Sequence, residues 1–335
     1  MASSSSVQNL SRIPISPMDT ISAIRFHEEV GNPHFAVMSW DCKGYLYRAD
    51  DGSLLQKFPS NFPLTDCAWM DSTRLCATSL DARITIIDTR TNQAVAQADR
   101  AHESTIRRVV KLDSTTIITG GWDKKVKMWD TRTMKNVATG NVNAKVFCMD
   151  VTHADRSSPK LVVGGSDKHI HIFDYGNGIT KLEERESALK YQLRSIACMP
   201  DGQGFVQGSV EGRASWDYFA EDMQKGKFAF KCHREPGANG MEQIHPVHDI
   251  AFHPIHHTFA TVGGDGTLCM WDGTCKKRIW KTSKFDDEIT SLSFSADGRY
   301  LAMAVGSHEA NGPKEVWIKF LQDSEVMQRG SQKTR

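Results

Sequence analysis

The stretch Thr119-Gly120-Gly121-Trp122-Asp123-Lys124-Lys125-Val126-Lys127-Met128-Trp129-Asp130 constrains this chain most, because the chain rewrites it along most of its length. Locally it reads as a tight hairpin. Ile117 and Ile118 bring a β-branched strand into Gly120-Gly121, and Asp123 tolerates the turn and bonds its own backbone there. Val126 and Met128 alternate with Lys125 and Lys127, the period of a strand with one buried face. Upstream, His102 precedes a second apolar run, Ile106 to Val110. His102, Thr119, Asp123 and Trp129 form a donor and acceptor set that can satisfy itself inside one small sheet, as buried polar groups must. The turn acid recurs at Asp41, Asp81, Asp123, Asp167 and Asp265, with Glu211-Gly212 in a divergent copy. The closing pair recurs as Ile87-Asp88, Trp129-Asp130, Phe173-Asp174 and Trp271-Asp272.

A repeat of roughly 40 to 45 residues ending in Trp-Asp is the signature of a four-stranded propeller blade. On these residues the chain resembles the WD-repeat family, which implies an all-β, seven-bladed WD40 β-propeller. The copies begin near Ile21, Leu64, Ile106, Ala144, Ser195, Val247 and Ile289. The polar set reads as complete only in the His102 copy. The expected organisation is a disordered N-terminus over 1–6, the propeller over 7–322, and a flexible C-terminal tail over 323–335. Within 7–15, a strand is expected to close the ring, since an open propeller leaves a bare sheet edge.

Lys plus Arg number 41 and Asp plus Glu 40, for a net charge of +1. That balance speaks against binding driven by nucleic-acid phosphates. The eight cysteines are scattered, with Cys67, Cys148, Cys198 and Cys269 inside apolar strands. They read as small buried hydrophobes of a reducing compartment. The start lacks the regions of a signal peptide, and no apolar run approaches the ~20 residues of a membrane helix. His245, His248, His253, His256 and His257 have a zinc-like spacing, but His248 falls on an inner strand and the others in turns, without cysteine or carboxylate partners. No metal, cofactor or catalytic residue is expected, and no nucleophile elbow, phosphate loop or dinucleotide fingerprint is present.

Two surfaces carry chemistry. Residues just before the turn acids (Trp40, Leu80, Trp122, Ser166, Gly264) are expected on one face of the disc. So are residues following the first apolar position of each inner strand (Ser22, Thr65, Arg107, Phe147, Arg194, His248, Thr290). Trp and Arg are the types enriched at binding hot spots, so either this face binds a partner or the tryptophans fold back as packing. Arg213 and Lys231 form a second, cationic pair. Either they capture phosphate, for which both groups are suited, or each pairs with a carboxylate such as Asp217.

Four segments are more specific than any Trp-Asp pair: Glu186 to Arg194, Ser209 to Arg213, Phe228 to Arg234, and Phe252 to Ala260. They resemble the spindle-checkpoint WD-repeat family, third of the budding-uninhibited-by-benzimidazole group, and are similar to its sister family of messenger-RNA export factors. The resemblance covers nearly the whole chain and implies a non-enzymatic adaptor. In both families a partner's GLEBS segment crosses the top face and its acids meet an arginine at the position of Arg194; Trp40 and Trp122 match top-face tryptophans. In the checkpoint family the partners are a checkpoint kinase and its pseudokinase or Mad-type relative. That family also reads phosphothreonine in the Met-Glu-Leu-Thr repeats of a kinetochore scaffold, through positions matching Arg213 and Lys231. A monomeric propeller in hetero-complexes is implied, nuclear, at kinetochores in mitosis and also cytoplasmic. Neither ubiquitin nor a membrane is an expected partner. Leu189-Lys190-Tyr191-Gln192 and Asp217 favour the checkpoint family. Ala260 to Asp265 and Lys127 to Asp130 lean towards the export family, which implies a nucleoporin segment and RNA as ligands. Ala214-Ser215-Trp216 departs from the small apolar run of both.

Overall fold

The computed structural model describes residues 9–14, 17–153, 158–237, 240–306 and 314–329; the expectation for 1–6 lies outside them. Seven four-stranded antiparallel sheets follow one another in chain order. The third shows the plan, with strands Ile106–Lys111, Thr116–Gly121, Lys125–Asp130 and Lys135–Asn141. The second strand of each sheet is buried nearly throughout, while the fourth strand of blade three is mostly exposed. Sequence periodicity follows this gradient, as the pattern fades outward with burial.

The seventh blade combines both ends of the described chain. Leu10–Arg12 is its outer strand, paired with Glu315–Phe320 in the register Leu10 to Lys319. Ile13 N–H continues the ladder to Val316 O at 2.8 Å. This seals the edge that an open ring would leave unpaired.

The molecule has no single central core. Among the described residues the buried apolar side chains fall into clusters, one between each pair of neighbouring blades. Phe35, Tyr47 and Ile24 of blade one, for example, pack with Ala302, Val316 and Ile318 of blade seven. The axis is polar instead. Arg25, Asp66, Arg108, Asp150 and Asp249 line a channel of about 290 Å³. Arg25 Nη2 lies 3.0 Å from Asp66 Oδ1. Asp66, Asp150 and Asp249 each also accept a backbone N–H from the following blade, from Val109, Cys198 and Leu292.

The structure differs from the sequence reading in three places. The polar set is complete twice. In blade three, His102 Nδ1 donates to Asp123 Oδ1 at 2.9 Å, and Thr119 Oγ1 lies 2.7 Å from His102 Nε2 and accepts Trp129 Nε1–H at 2.9 Å. In blade six, His233, Asp265, Thr261 and Trp271 repeat this at 2.7, 2.8 and 3.0 Å. His233 lies just beyond the outer strand of blade five, which stops at Phe228–Lys231. A small hairpin, Arg234–Pro236 with Glu242–Ile244, follows and stretches the spacing. The expected tail from 323 is in its described part a docked element. Asp323–Val326 is a helical turn that buries Val326, and Glu325 O accepts Trp280 Nε1–H at 2.7 Å. Asp217, weighed as a partner for Arg213 and Lys231, faces Arg185 at 3.5 Å. All eight cysteines are free thiols, and the four assigned to apolar strands are buried. No helix among the described residues is long and apolar enough to cross a membrane.

Candidate peptide-binding face

One end of the disc is built by a backbone device repeated in every blade. The residue after each second strand donates its N–H to the carbonyl of the residue preceding that blade's inner strand: Trp40 to Thr20, Leu80 to Pro63, Trp122 to Thr105, Ser166 to Lys145, Val210 to Gln192, Gly264 to Pro246 and Gly306 to Glu288, at 2.9–3.0 Å. Each inner strand is then bulged at its second position. The register breaks leave Ser22, Thr65, Arg107, Phe147, Arg194, His248 and Thr290 unpaired. An extra residue of this kind bends the strand and re-aims a side chain. The set anticipated from the inner-strand pattern is therefore one geometric class.

Its members divide by chemistry. Ser22 Oγ donates to Leu64 O at 2.7 Å and Thr290 Oγ1 to Ile21 O at 3.2 Å, so these stitch adjacent blades together. Thr65 is buried against Thr78 Oγ1 at 2.9 Å. The large members, Arg107, Phe147, Arg194 and His248, occupy blades three to six and are half-buried around the mouth of the axis. Among the described residues no carboxylate lies within ion-pair distance of Arg107 (the pairs are elsewhere), and burial together with Arg108 disfavours its charge. That is a cation short of counter-charge.

Arg194 is held from behind. Its Nη2 donates to His248 Nδ1 at 3.1 Å, and His248 Nε2 donates to Glu288 Oε2. An imidazole that accepts at Nδ1 and donates at Nε2 is neutral, in agreement with its lowered pKa, which burial causes against the pull of Glu288. The His248 side chain is only 8% exposed. His248 is thus a support for Arg194 more than a surface contact. Trp40 is 38% exposed. Trp122 is half-buried with Lys145 Nζ 5.5 Å from its ring centroid. Neither indole is sealed inside the sheets.

The second surface lies on the flank of blade five. A cleft of about 630 Å³ is lined by Lys190, Tyr191, Glu211, Arg213, Arg234 and Ile244, among others. Arg213 and Lys231 are direct cross-strand partners. Arg213 Nε is 3.9 Å from Glu211 Oε2, and Lys231 Nζ is 3.1 Å from Glu242 Oε2. Sequence reading missed Arg234 and Glu242, which sit on the small hairpin; a three-residue strand gives no periodic signal.

The histidines weighed as a metal cluster are dispersed. His248 faces Arg194 and Glu288, His253 Nε2 donates to Gly298 O, and His245 lies 3.6 Å from Glu235. A different group, Asp167, His171 and Glu184, has metal-type donors within 4.8 Å of one another. Asp167 lies against Nε2 of His171 at 3.0 Å and Glu184 against Nδ1 at 3.6 Å, on opposite sides of one ring, and Lys181 pairs with Glu184. This arrangement clamps a buried imidazole where blade four lacks the His of the polar set, having Ala144.

Comparison with known proteins follows the same lines. Residues 102–175 match the TEP-1 C-terminal beta-propeller model, and residues 242–272 match the WD domain, G-beta repeat. The chain is 36% identical over 301 residues to Mitotic checkpoint protein bub-3 of Caenorhabditis elegans, covering 88% of this chain and 86% of the relative. It is 35% identical over 318 residues to Mitotic checkpoint protein BUB3.1 of Arabidopsis thaliana, covering 92% of each. It is also 33% identical over 308 residues to Protein Rae1 of Drosophila melanogaster, covering 88% of this chain and 87% of the relative.

Proposed function

The chain belongs to the Bub3 family of mitotic checkpoint WD-repeat proteins, with the Rae1 and Gle2 export factors as sister family, and from that premise we propose that it is a non-enzymatic adaptor reading two peptide signals. The first is a GLEBS-type segment of a checkpoint kinase or its pseudokinase or Mad-type relative, laid across the bulged face. Its acidic side chains meet Arg194 and Arg107, and its apolar ones meet Trp40, Trp122 and Phe147. The second is a phosphothreonine in Met-Glu-Leu-Thr repeats of a kinetochore scaffold, taken by Arg213 and Lys231. Such an adaptor works in the nucleus and at mitotic kinetochores. The observation that carries the reading is the bulge ring. It fixes two guanidinium groups at the mouth of the axis, one of them lacking a counter-ion, and prepaid order of this kind lowers the entropy cost of binding an extended acidic peptide.

The test is fluorescence anisotropy with a labelled acidic GLEBS-type peptide. Arg194→Glu is expected to weaken binding at least about tenfold, because a charge-assisted contact becomes a repulsive one. Unchanged affinity sinks the proposal. The near-equal similarity to Protein Rae1 motivates the export reading as the alternative. It requires RNA affinity that falls steeply with salt, and a flat filter-binding curve removes it.

A further inference from the structure

On the flank of blade five, two like charges face each other directly across adjacent strands, Arg213 and Lys231. Such a pair is unfavourable unless an anion sits with it. Each member has its own: Glu211 Oε2 lies 3.9 Å from Arg213 Nε, and Glu242, from the small hairpin, faces Lys231. Glu242 Oε2 lies 3.1 Å from Lys231 Nζ and 2.7 Å from Arg234 Nη1. Arg234 is fixed by its remaining nitrogens. Nε donates to Gly212 O at 3.0 Å and Nη2 to Glu211 O at 2.6 Å, both on the turn of blade five. The hydrogen bond from Arg234, then that from Lys231, holds the Glu242 carboxyl below the usual range, so it is anionic at neutral pH. Its strand, Glu242–Ile244, is exposed throughout and is held to the hairpin by a ladder of three residue pairs.

Resting on the phosphate reading of this cleft, we propose that Glu242 is an internal counter-anion that occupies the phosphate position and must be displaced before a phosphorylated side chain can bind. A single carboxylate offers two oxygens to Lys231 and Arg234. A phosphate monoester carries about −1.5 to −2 charge and three acceptor oxygens, so it reaches Arg213 as well and wins the exchange. An ordinary peptide carboxylate exchanges like for like and gains nothing. Glu242 thereby holds Lys231 and Arg234 against unmodified acidic segments. Since displacement precedes binding, every anionic ligand carries the same penalty, and its apparent dissociation constant rises by the inverse of the fraction of molecules with the cleft vacant.

The experiment compares wild type, Glu242→Gln and Arg213→Ala against three probes: a phosphothreonine peptide, the same peptide unphosphorylated, and inorganic phosphate as competitor. Gln keeps the shape and removes the charge. Glu242→Gln is expected to bind the phosphopeptide roughly threefold to tenfold more tightly, the scale of an exposed ion-pair network. Inorganic phosphate should compete more tightly by the same ratio, and the unphosphorylated peptide, relieved of the same penalty, should gain by no more than that factor while staying the weaker ligand. Equal or weaker phosphopeptide binding in Glu242→Gln, with melting unchanged, overturns the proposal while leaving the phosphate site standing. A wild type that binds both peptides alike, with no loss in Arg213→Ala, overturns the phosphate reading and this proposal with it.

Discussion

Thr261 accepts Trp271 Nε1–H and donates to His233 Nε2, while His233 Nδ1–H is held by acceptor-only Asp265. Burial acts to raise the Asp265 pKa, but the bonds from His233 and Thr267 prevail and lower it well below the usual carboxylate range. Thr261→Val keeps the volume and strands the buried His233 Nε2 and the half-buried Trp271 N–H, so a loss of about 1–3 kcal/mol is expected in urea unfolding. A loss below about 1 kcal/mol contradicts the network. The same set in blade three was legible because His102 lies 21 residues before Asp123. In blade six the gap is 32, since the hairpin intervenes, and the longer spacing hides the histidine. Arg194 was legible by its place in the inner strand. Its dependence on Glu288 was not, because Glu288 lies in the next blade's approach, 40 residues beyond His248.

At the scale of the element, second strands announced themselves as apolar runs and the third strand of blade three by alternation, and the bulge position followed from counting along each inner strand. The short elements did not. Asp323–Val326 is polar except for the buried Val326, so no pattern marks it. Yet it supplies Glu325 to Lys319, whose ammonium is 1% exposed and 2.9 Å away. Removing the carboxylate takes away one charge-assisted partner of Lys319, so Glu325→Ala is expected to cost about 1–3 kcal/mol, and Lys319→Met with Glu325→Leu less. Comparing their thermal midpoints checks this. The turn after the inner strand of blade six holds a pH-sensitive element. His253 accepts Ile255 and His256 N–H at Nδ1 and donates from Nε2 to Gly298 O, and burial pushes its pKa down to about 4. The unfolded chain takes up a proton near pH 6.5 that the folded turn refuses, so stability is present above that pH and falls on acidification. Between pH 7 and 5 the loss is about 2 kcal/mol from this group. His253→Gln is expected to flatten the dependence of the urea midpoint over that window; an unaltered slope assigns the effect to other histidines.

For the whole molecule, the period gave the blade count, and the charge balance fitted an adaptor better than a nucleic-acid binder. The polar axis was hidden. Arg25, Asp66, Arg108, Asp150 and Asp249 occupy alternate positions of inner strands that period alone assigns to solvent, whereas the ring turns that side towards a channel. Ring closure was anticipated, and its register came only with the structure. Deleting the chain through Ile13 is expected to unpair the edge of Glu315–Phe320 and uncover the packing of Ile13 between blades seven and one. Size-exclusion chromatography should then show self-association through that edge, and a sharp monomer peak with an unshifted melting point argues otherwise. The seam has a temporal consequence as well. Leu10 leaves the ribosome long before its ladder partner Lys319. A nascent chain carrying six blades therefore waits unsealed, and a stop codon anywhere before Glu315 yields a product chaperones can recognise by its raw ends, never a smaller working disc.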